Sequence, residues 1–180
     1  MKNLKLIFCG LATLFFIIIS VNIFKSDDDI TISKSGENHN LGMTYNIDNL
    51  KKGTYKVNIY AKEYKNGKFI EEYRLYDKDI KHKSKNISLK VGVDVSDYNK
   101  EIKVLVNDSY SKELKLNFFE NDSGSLLIIE NSKVINLDKE EPIVVFNTDI
   151  FGKYSDISDG YNVEDNEGDL IVFLKLIKIN

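Results

Sequence analysis

The 180-residue chain contains no tryptophan, one proline (Pro142) and one cysteine (Cys9). Each scarcity excludes something. Cys9 lies inside an apolar N-terminal run, so the rest of the chain has no thiol with which to form a disulfide. Its stability must come from buried apolar surface. A zinc site would have to draw most of its ligands from carboxylates. Histidine occurs only at His39, in a polar stretch, and at His82, in the lysine-flanked run KDIKHKSK. Both are expected on the solvated surface, and a Ser-His-Asp triad has little material to draw on. HExxH, a glycine-rich phosphate loop and a GxSxG elbow are absent. Paired carboxylates are the remaining route to hydrolysis. In a strand, however, Glu71 and Glu72 point to opposite faces, and Glu140-Glu141, just before Pro142, read as a turn. The expectation is a protein that is not an enzyme.

Charge narrows the partners. There are 25 basic and 28 acidic residues, and every basic residue except Arg74 is lysine. Lys2, Lys5 and Lys25 belong to the N-terminal segment. Residues 26–180 therefore hold 22 basic and 28 acidic residues, a formal charge of −6. Signs are interspersed with no basic stripe, which argues against nucleic acid. The bias toward Lys, Asn, Ile and Asp is that of an AT-rich coding genome and suggests a bacterial source.

What is present begins with Leu6–Phe24, a run of 19 residues without a charge. At about 1.5 Å per residue, a helix of that length nearly spans a 30 Å hydrocarbon core. Lys2 and Lys5 precede it and Asp27-Asp28-Asp29 follow. The positive-inside rule then predicts a single-pass cell-membrane anchor with a cytoplasmic N-terminus and an extracellular domain. Secretion after signal cleavage is the alternative, but the apolar region is longer than a signal core needs and Ser20-Val21-Asn22 is a poor cleavage site. Lipid modification of Cys9 is weaker still, because Phe8 precedes it.

Beyond the anchor (1–25) the sequence reads as a polar linker (26–40), with a first strand at Ile30–Ser33, and one domain (41–180). Apolar residues recur there with period 2. Tyr55, Val57, Ile59 and Ala61 share one face, as do Ile87, Leu89, Val91, Val93 and Val95. Ile102, Val104 and Val106 form a third set, followed by Leu114, Leu116 and Phe118. The denser runs Leu126–Ile129, Ile143–Phe146 and Ile171–Ile177 suit strands buried on both faces. Turn residues separate them at Asn66-Gly67, Asn107-Asp108-Ser109, Asn121–Gly124 and Asp159-Gly160. This pattern predicts an antiparallel β-sandwich, immunoglobulin-like or jelly-roll-like, behind one N-terminal transmembrane helix.

Around Asn66-Gly67, a two-residue turn sets Tyr64 opposite Phe69. A three-residue loop with Gly67 at a bulge sets Tyr64 opposite Lys68 and pairs Ile59 with Tyr73 and Val57 with Leu75. The bulged turn is preferred because it keeps apolar side chains together. The segment Leu50-Lys51-Lys52-Gly53-Thr54-Tyr55-Lys56-Val57 is similar to the corner before a late strand in fibronectin type III domains. That resemblance implies that the Tyr55 hydroxyl bonds back across the turn.

Two candidate sites emerge. The acidic stretch around Gly160 and Gly168 offers Asp156, Asp159, Asp165, Glu167 and Asp169 as oxygen ligands for calcium, although EF-hand spacing is not met. Tyr60, Tyr64 and Phe69 form an aromatic row on the predicted hairpin suited to a glycan or protein partner. The functional expectation is a membrane-anchored extracytoplasmic module binding a cell-envelope or surface ligand, with lipid contacts through Leu6–Phe24. An accessory or structural subunit of a membrane complex is the alternative.

Overall fold

Alternation of period 2 becomes strands wherever it falls among the described residues, with Ile87, Leu116 and Phe118 lying outside them, and the strands pair antiparallel. The computed structural model describes residues 29–38, 42–83, 89–96, 101–107, 109–110, 114–115, 125–147, 156–158, 160–161, 163 and 168–179. The proposed anchor Leu6–Phe24 and His39 lie outside the described residues. Among those described, no helix is long and apolar enough to cross a membrane.

The described strands are β1 (Thr31–Asn38), β2 (Gly42–Asp48), β3 (Gly53–Lys65), β4 (Lys68–His82), β5 (Leu89–Ser96) and β6 (Glu101–Val106). They continue with β7 (Ser109–Tyr110), β8 (Leu114–Lys115), β9 (Ser125–Ile128), β10 (Lys133–Val134), β11 (Glu140–Asn147) and β12 (Gly168–Lys178). One sheet has the order β10-β1-β2-β5-β6, with β7 and β8 both pairing with β6; the other has the order β4-β3-β12-β11-β9. The first strand is longer than the expected Ile30–Ser33 and pairs with β10 on one side and β2 on the other.

Both sheets contribute to a single apolar core. Ile32, Tyr45, Ile47, Ile102, Val104 and Val106 come from the first sheet, and Val57, Ile59, Ala61, Val172, Leu174 and Leu176 from the second. Burying an aliphatic side chain of this size contributes roughly 1.5–3 kcal/mol. Two hydroxyls tie this core to the backbone. Tyr45 donates to the Ile143 carbonyl at 2.8 Å in a buried bond between the sheets. Tyr55 donates to the Lys51 carbonyl at 2.7 Å, as the corner resemblance implied. Burial pushes the Tyr45 hydroxyl well above its ordinary pKa, so it remains a donor.

The dense runs behave as expected: β11 and β12 carry buried residues on both faces. Pro142 corrects the turn reading. Glu140 and Glu141 belong to β11 itself, and the chain reverses earlier, where Asp138 takes φ 65°. Pro142 is tolerated in the strand because it sits at a bulge and beyond the end of the β9 pairing, which covers only residues 144–147.

The hairpin register also needs correction. Asn66 and Gly67 both take positive φ (50° and 70°), the signature of a two-residue type I′ turn. Tyr64 therefore faces Phe69, not Lys68. The apolar phase is recovered within β4 by two bulges: Ile70 and Leu75 are the extra residues, after which Ile59 faces Tyr76 and Val57 faces Lys78. The second bulge lets the adjacent Leu75 and Tyr76 both reach the buried side. It also explains His82. The expected surface histidine is buried at the end of β4, edge-on to Tyr55 with ring centroids 6.4 Å apart. There it lines a cavity of about 20 Å³ with Leu50, Ile80 and Leu176.

As the edge of its sheet among the described residues, β4 carries Glu71, Glu72, Arg74, Asp77, Lys78, Asp79 and Lys81, which together with its bulges discourage pairing with another strand.

Urea unfolding should separate the two hydroxyls. Tyr45→Phe leaves a buried carbonyl without its donor and should cost about 1–3 kcal/mol. Tyr55→Phe, nearer the solvent, should cost about 1 kcal/mol.

Candidate functional site

The outer face of the β4-β3-β12-β11-β9 sheet, turned away from the core, brings together the groups that sequence reading placed on the hairpin. Along β3 the inward residues are Val57, Ile59 and Ala61, so Asn58, Tyr60, Lys62 and Tyr64 point outward. The register with β12 sets Tyr60 beside Phe173, Lys62 beside Ile171 and Asn58 beside Lys175.

Tyr60 and Phe173 stack with centroids 5.7 Å apart and planes 19° from parallel. The Lys62 ammonium sits 5.3 Å from one ring centroid and 5.1 Å from the other, almost equidistant. It also contacts Glu140 Oε2 at 2.7 Å. Partial burial pushes the Glu140 carboxyl up. The Lys62 ammonium and Tyr60 hydroxyl beside it, with the charges of Lys62 and Lys175, outweigh that effect and bring its pKa below the ordinary value. Tyr60 responds oppositely: burial first, then the neighbouring Glu140 carboxylate, holds its hydroxyl in the protonated form. That hydroxyl is shut off from solvent and, among the described residues, has no partner at ordinary hydrogen-bond geometry.

Of the expected aromatic row, Tyr64 and Phe69 meet edge-to-face at the hairpin apex, 6.0 Å apart. Phe69 is 55% exposed and the bulged Ile70 is 52% exposed. Tyr60 does not join them and packs on Phe173 instead. Sequence reading missed Phe173, Lys62 and Glu140. A signal for Phe173 was available: Lys175 and Phe173 share one parity in LIVFLKLIKIN, and the lysine marks that parity as the outer face. Nothing local could have paired Lys62 with Glu140, which is 78 residues away. The separation expected for Glu71 and Glu72 holds: Glu71 faces Glu63 and accepts from the Tyr73 hydroxyl, whereas Glu72 faces Lys62.

The candidate calcium ligands are placed as follows. Asp159, Asp165 and Glu167 lie outside the described residues. Asp156 accepts bonds from the Glu130 N–H, the Ser158 N–H and hydroxyl, and the Asn131 amide. It thereby fastens its segment beside Ile128–Asn131, assisted by the Ile157 N–H to Ile128 carbonyl bond. Asp169 is fully buried and accepts from the Tyr161 hydroxyl at 2.6 Å, which in turn receives the Asn147 amide at 3.0 Å. The two carboxylates thus occupy separate networks. Among the described residues, no three His, Cys, Asp or Glu side chains are grouped to hold a metal ion.

Compared with protein-family models, curated proteins and solved structures, the chain matches none. The functional reading therefore rests on the site itself.

Asp156 gives a pH test. Partial burial pushes its carboxyl up, but its hydrogen bonds more than compensate, and the pKa falls from 3.8 to about 2. A depressed carboxyl stabilises the fold above the unfolded value, and this contribution disappears as pH falls from about 4 toward 2. Asp156→Asn should therefore be less stable than the parent at neutral pH, with the gap closing by pH 2 in denaturation measurements.

Proposed function

We propose that this chain is a non-enzymatic, membrane-anchored extracytoplasmic β-sandwich, immunoglobulin-like or jelly-roll-like, that binds a cell-envelope or surface ligand through the outer face and apex of the β3–β4 hairpin. The observation that carries the reading is the placement of exposed apolar and aromatic groups at one pole of the domain. Phe69 and Ile70 are exposed at the apex, Phe69 meets the partly buried Tyr64, and the buried Tyr60 and partly buried Phe173 lie behind them on the same face. Isolated exposed apolar residues are ordinary, whereas a cluster at the tip of a long hairpin is a contact surface.

The position of that pole supports the reading. The described chain starts at Asp29, whose carbonyl accepts from the Asn49 side chain, and β3 begins close by at Gly53. The thirteen residues of β3 carry the chain to the opposite pole, roughly 40 Å away at about 3.3 Å per residue. If Leu6–Phe24 spans the membrane, the apex projects away from it. A hydrophobic segment followed closely by the domain, with the contact groups at the far end, suits presentation of a binding surface to the envelope or to another surface. The alternative, an accessory subunit of a membrane complex, would place the decisive contacts on Leu6–Phe24 itself.

The test uses the full-length protein in non-ionic detergent, sedimented with purified cell-wall sacculi and, in parallel, with membranes from the source organism. Retention on sacculi is expected, and it should fall when Tyr64 and Phe69 are both changed to alanine. Retention on membranes alone, or on neither, would overturn wall binding and favour the subunit alternative.

A further inference from the structure

The single Asn-Gly step of the chain, Asn66-Gly67, forms the turn at the hairpin apex, where Asn66 is exposed. Both residues take positive φ, 50° and 70°. Among the described residues, neither the Asn66 carboxamide nor the Gly67 N–H has a hydrogen-bond partner. Other turn asparagines are held. Asn49 also takes positive φ, 63°, but its carboxamide donates to the Asp29 carbonyl and the buried Leu50 follows it. The Asn131 carboxamide donates to Asp156.

The β4 side of this tip is weakly braced. Lys65 faces Lys68 across the turn, and like charges directly opposite one another destabilise a strand pair. Two residues beyond Lys68, the bulge at Ile70 interrupts the ladder. Both features lower the cost of opening the turn.

We propose that Asn66 is a site of spontaneous deamidation. The Gly67 backbone nitrogen loses its proton to solvent base and attacks the Asn66 side-chain carbonyl carbon. A C–N bond forms, the bond to the side-chain nitrogen breaks, and that nitrogen takes up a proton and leaves as ammonia. Water then opens the five-membered succinimide at one of its two carbonyls, giving a carboxylate and either an aspartyl or an isoaspartyl linkage at position 66. One water is consumed and one ammonia released, and no other reactant takes part. Ring closure by a neighbouring atom gains from proximity, and a glycine nitrogen has no side chain beside it to obstruct the attack. Asn66 must leave its type I′ conformation to react, so the loosened tip governs the rate.

The product alters the apex in two ways. An isoaspartyl linkage routes the main chain through the side-chain carbon and lengthens a loop that closes Lys65 onto Lys68 with two residues. The register that sets Tyr64 opposite Phe69 is then lost. A carboxylate also appears between two lysines. The apex therefore has a chemical lifetime, whatever it binds.

The experiment is to age the folded full-length protein in detergent at about pH 6 and about pH 8 and to follow each asparagine-bearing peptide by mass spectrometry. Modification at Asn66 should run about tenfold faster than at Asn49 in the same sample and faster at the higher pH, since the attacking nitrogen must be deprotonated. Asn66→Gly keeps a residue that accepts positive φ and removes the carboxamide, so the acidic species that the parent accumulates on ion exchange should be absent. Equal rates at Asn66 and Asn49, reaction only after unfolding in urea, or persistence of the acidic species in Asn66→Gly would overturn the proposal. For the change of register, the isoaspartyl fraction should exchange the amide hydrogens of residues 64–70 faster than fresh Asn66→Asp, which adds the charge alone. Equal exchange would overturn that part.

Discussion

Two sheets with no disulfide between them hold their relative position through side-chain packing, and the Tyr45 hydroxyl is a buried polar contact that fixes that fit in the centre. Apolar contacts are non-directional and tolerate sliding, whereas a hydrogen bond to one particular carbonyl does not. The acceptor, Ile143, is the extra residue of the β11 bulge next to Pro142. The bulge that accommodates the proline thus also frees the carbonyl that Tyr45 uses. Nearby, the chain leaves β9 in one sheet and reaches β10 in the other within a few residues, and the largely buried Lys133–Glu141 pair at 3.0 Å ties β10 to β11. This crossing is the place where the sheets are held together most directly.

From that arrangement the rest of the layout follows. With β11 and β12 buried on both faces toward the β9 side, the outward-facing side chains of this sheet that are exposed among the described residues belong mostly to β3 and β4. The long hairpin consequently supplies nearly all of the outward-facing aromatic surface among the described residues. The lysines and carboxylates interleaved with it keep that surface soluble, and Lys62 illustrates how. Its ammonium stays paired with Glu140 while its stem and charge shield two rings from water.

Much of this was legible in the sequence, because strand formation and facing depend on local alternation. The long runs at Tyr55–Ala61 and Ile171–Ile177 fell where their periodicity placed them, and the Leu50–Val57 corner made its hydroxyl bond. β2 was missed although Met43, Tyr45 and Ile47 alternate there, since a seven-residue strand beside a polar stretch offers a weak pattern. The hairpin register was misjudged for a physical reason. Keeping apolar side chains in phase can be achieved at the turn or by bulges farther along, and local sequence does not distinguish the two. Asn66 and Gly67 readily adopt positive φ and took the tight turn, which transferred the correction to Ile70 and Leu75. That transfer turned His82 inward despite its lysine neighbours. The Lys62–Glu140 contact depends on strands far apart in the chain, and the pairing of β3 through β12 to β11 had to be known before it could be seen.

The central position of β3 has a mechanical consequence. It is paired along its length on both sides, with β4 over residues 53–65 and with β12 over residues 55–65. Tension applied between the hairpin apex and the Asn49–Gly53 end runs parallel to this strand. The backbone bonds that resist it are loaded together, in shear, instead of being peeled apart one at a time. A ligand that pulls on the apex therefore draws on the stiffest direction of the domain, and the weak point under traction moves to whatever holds the opposite pole.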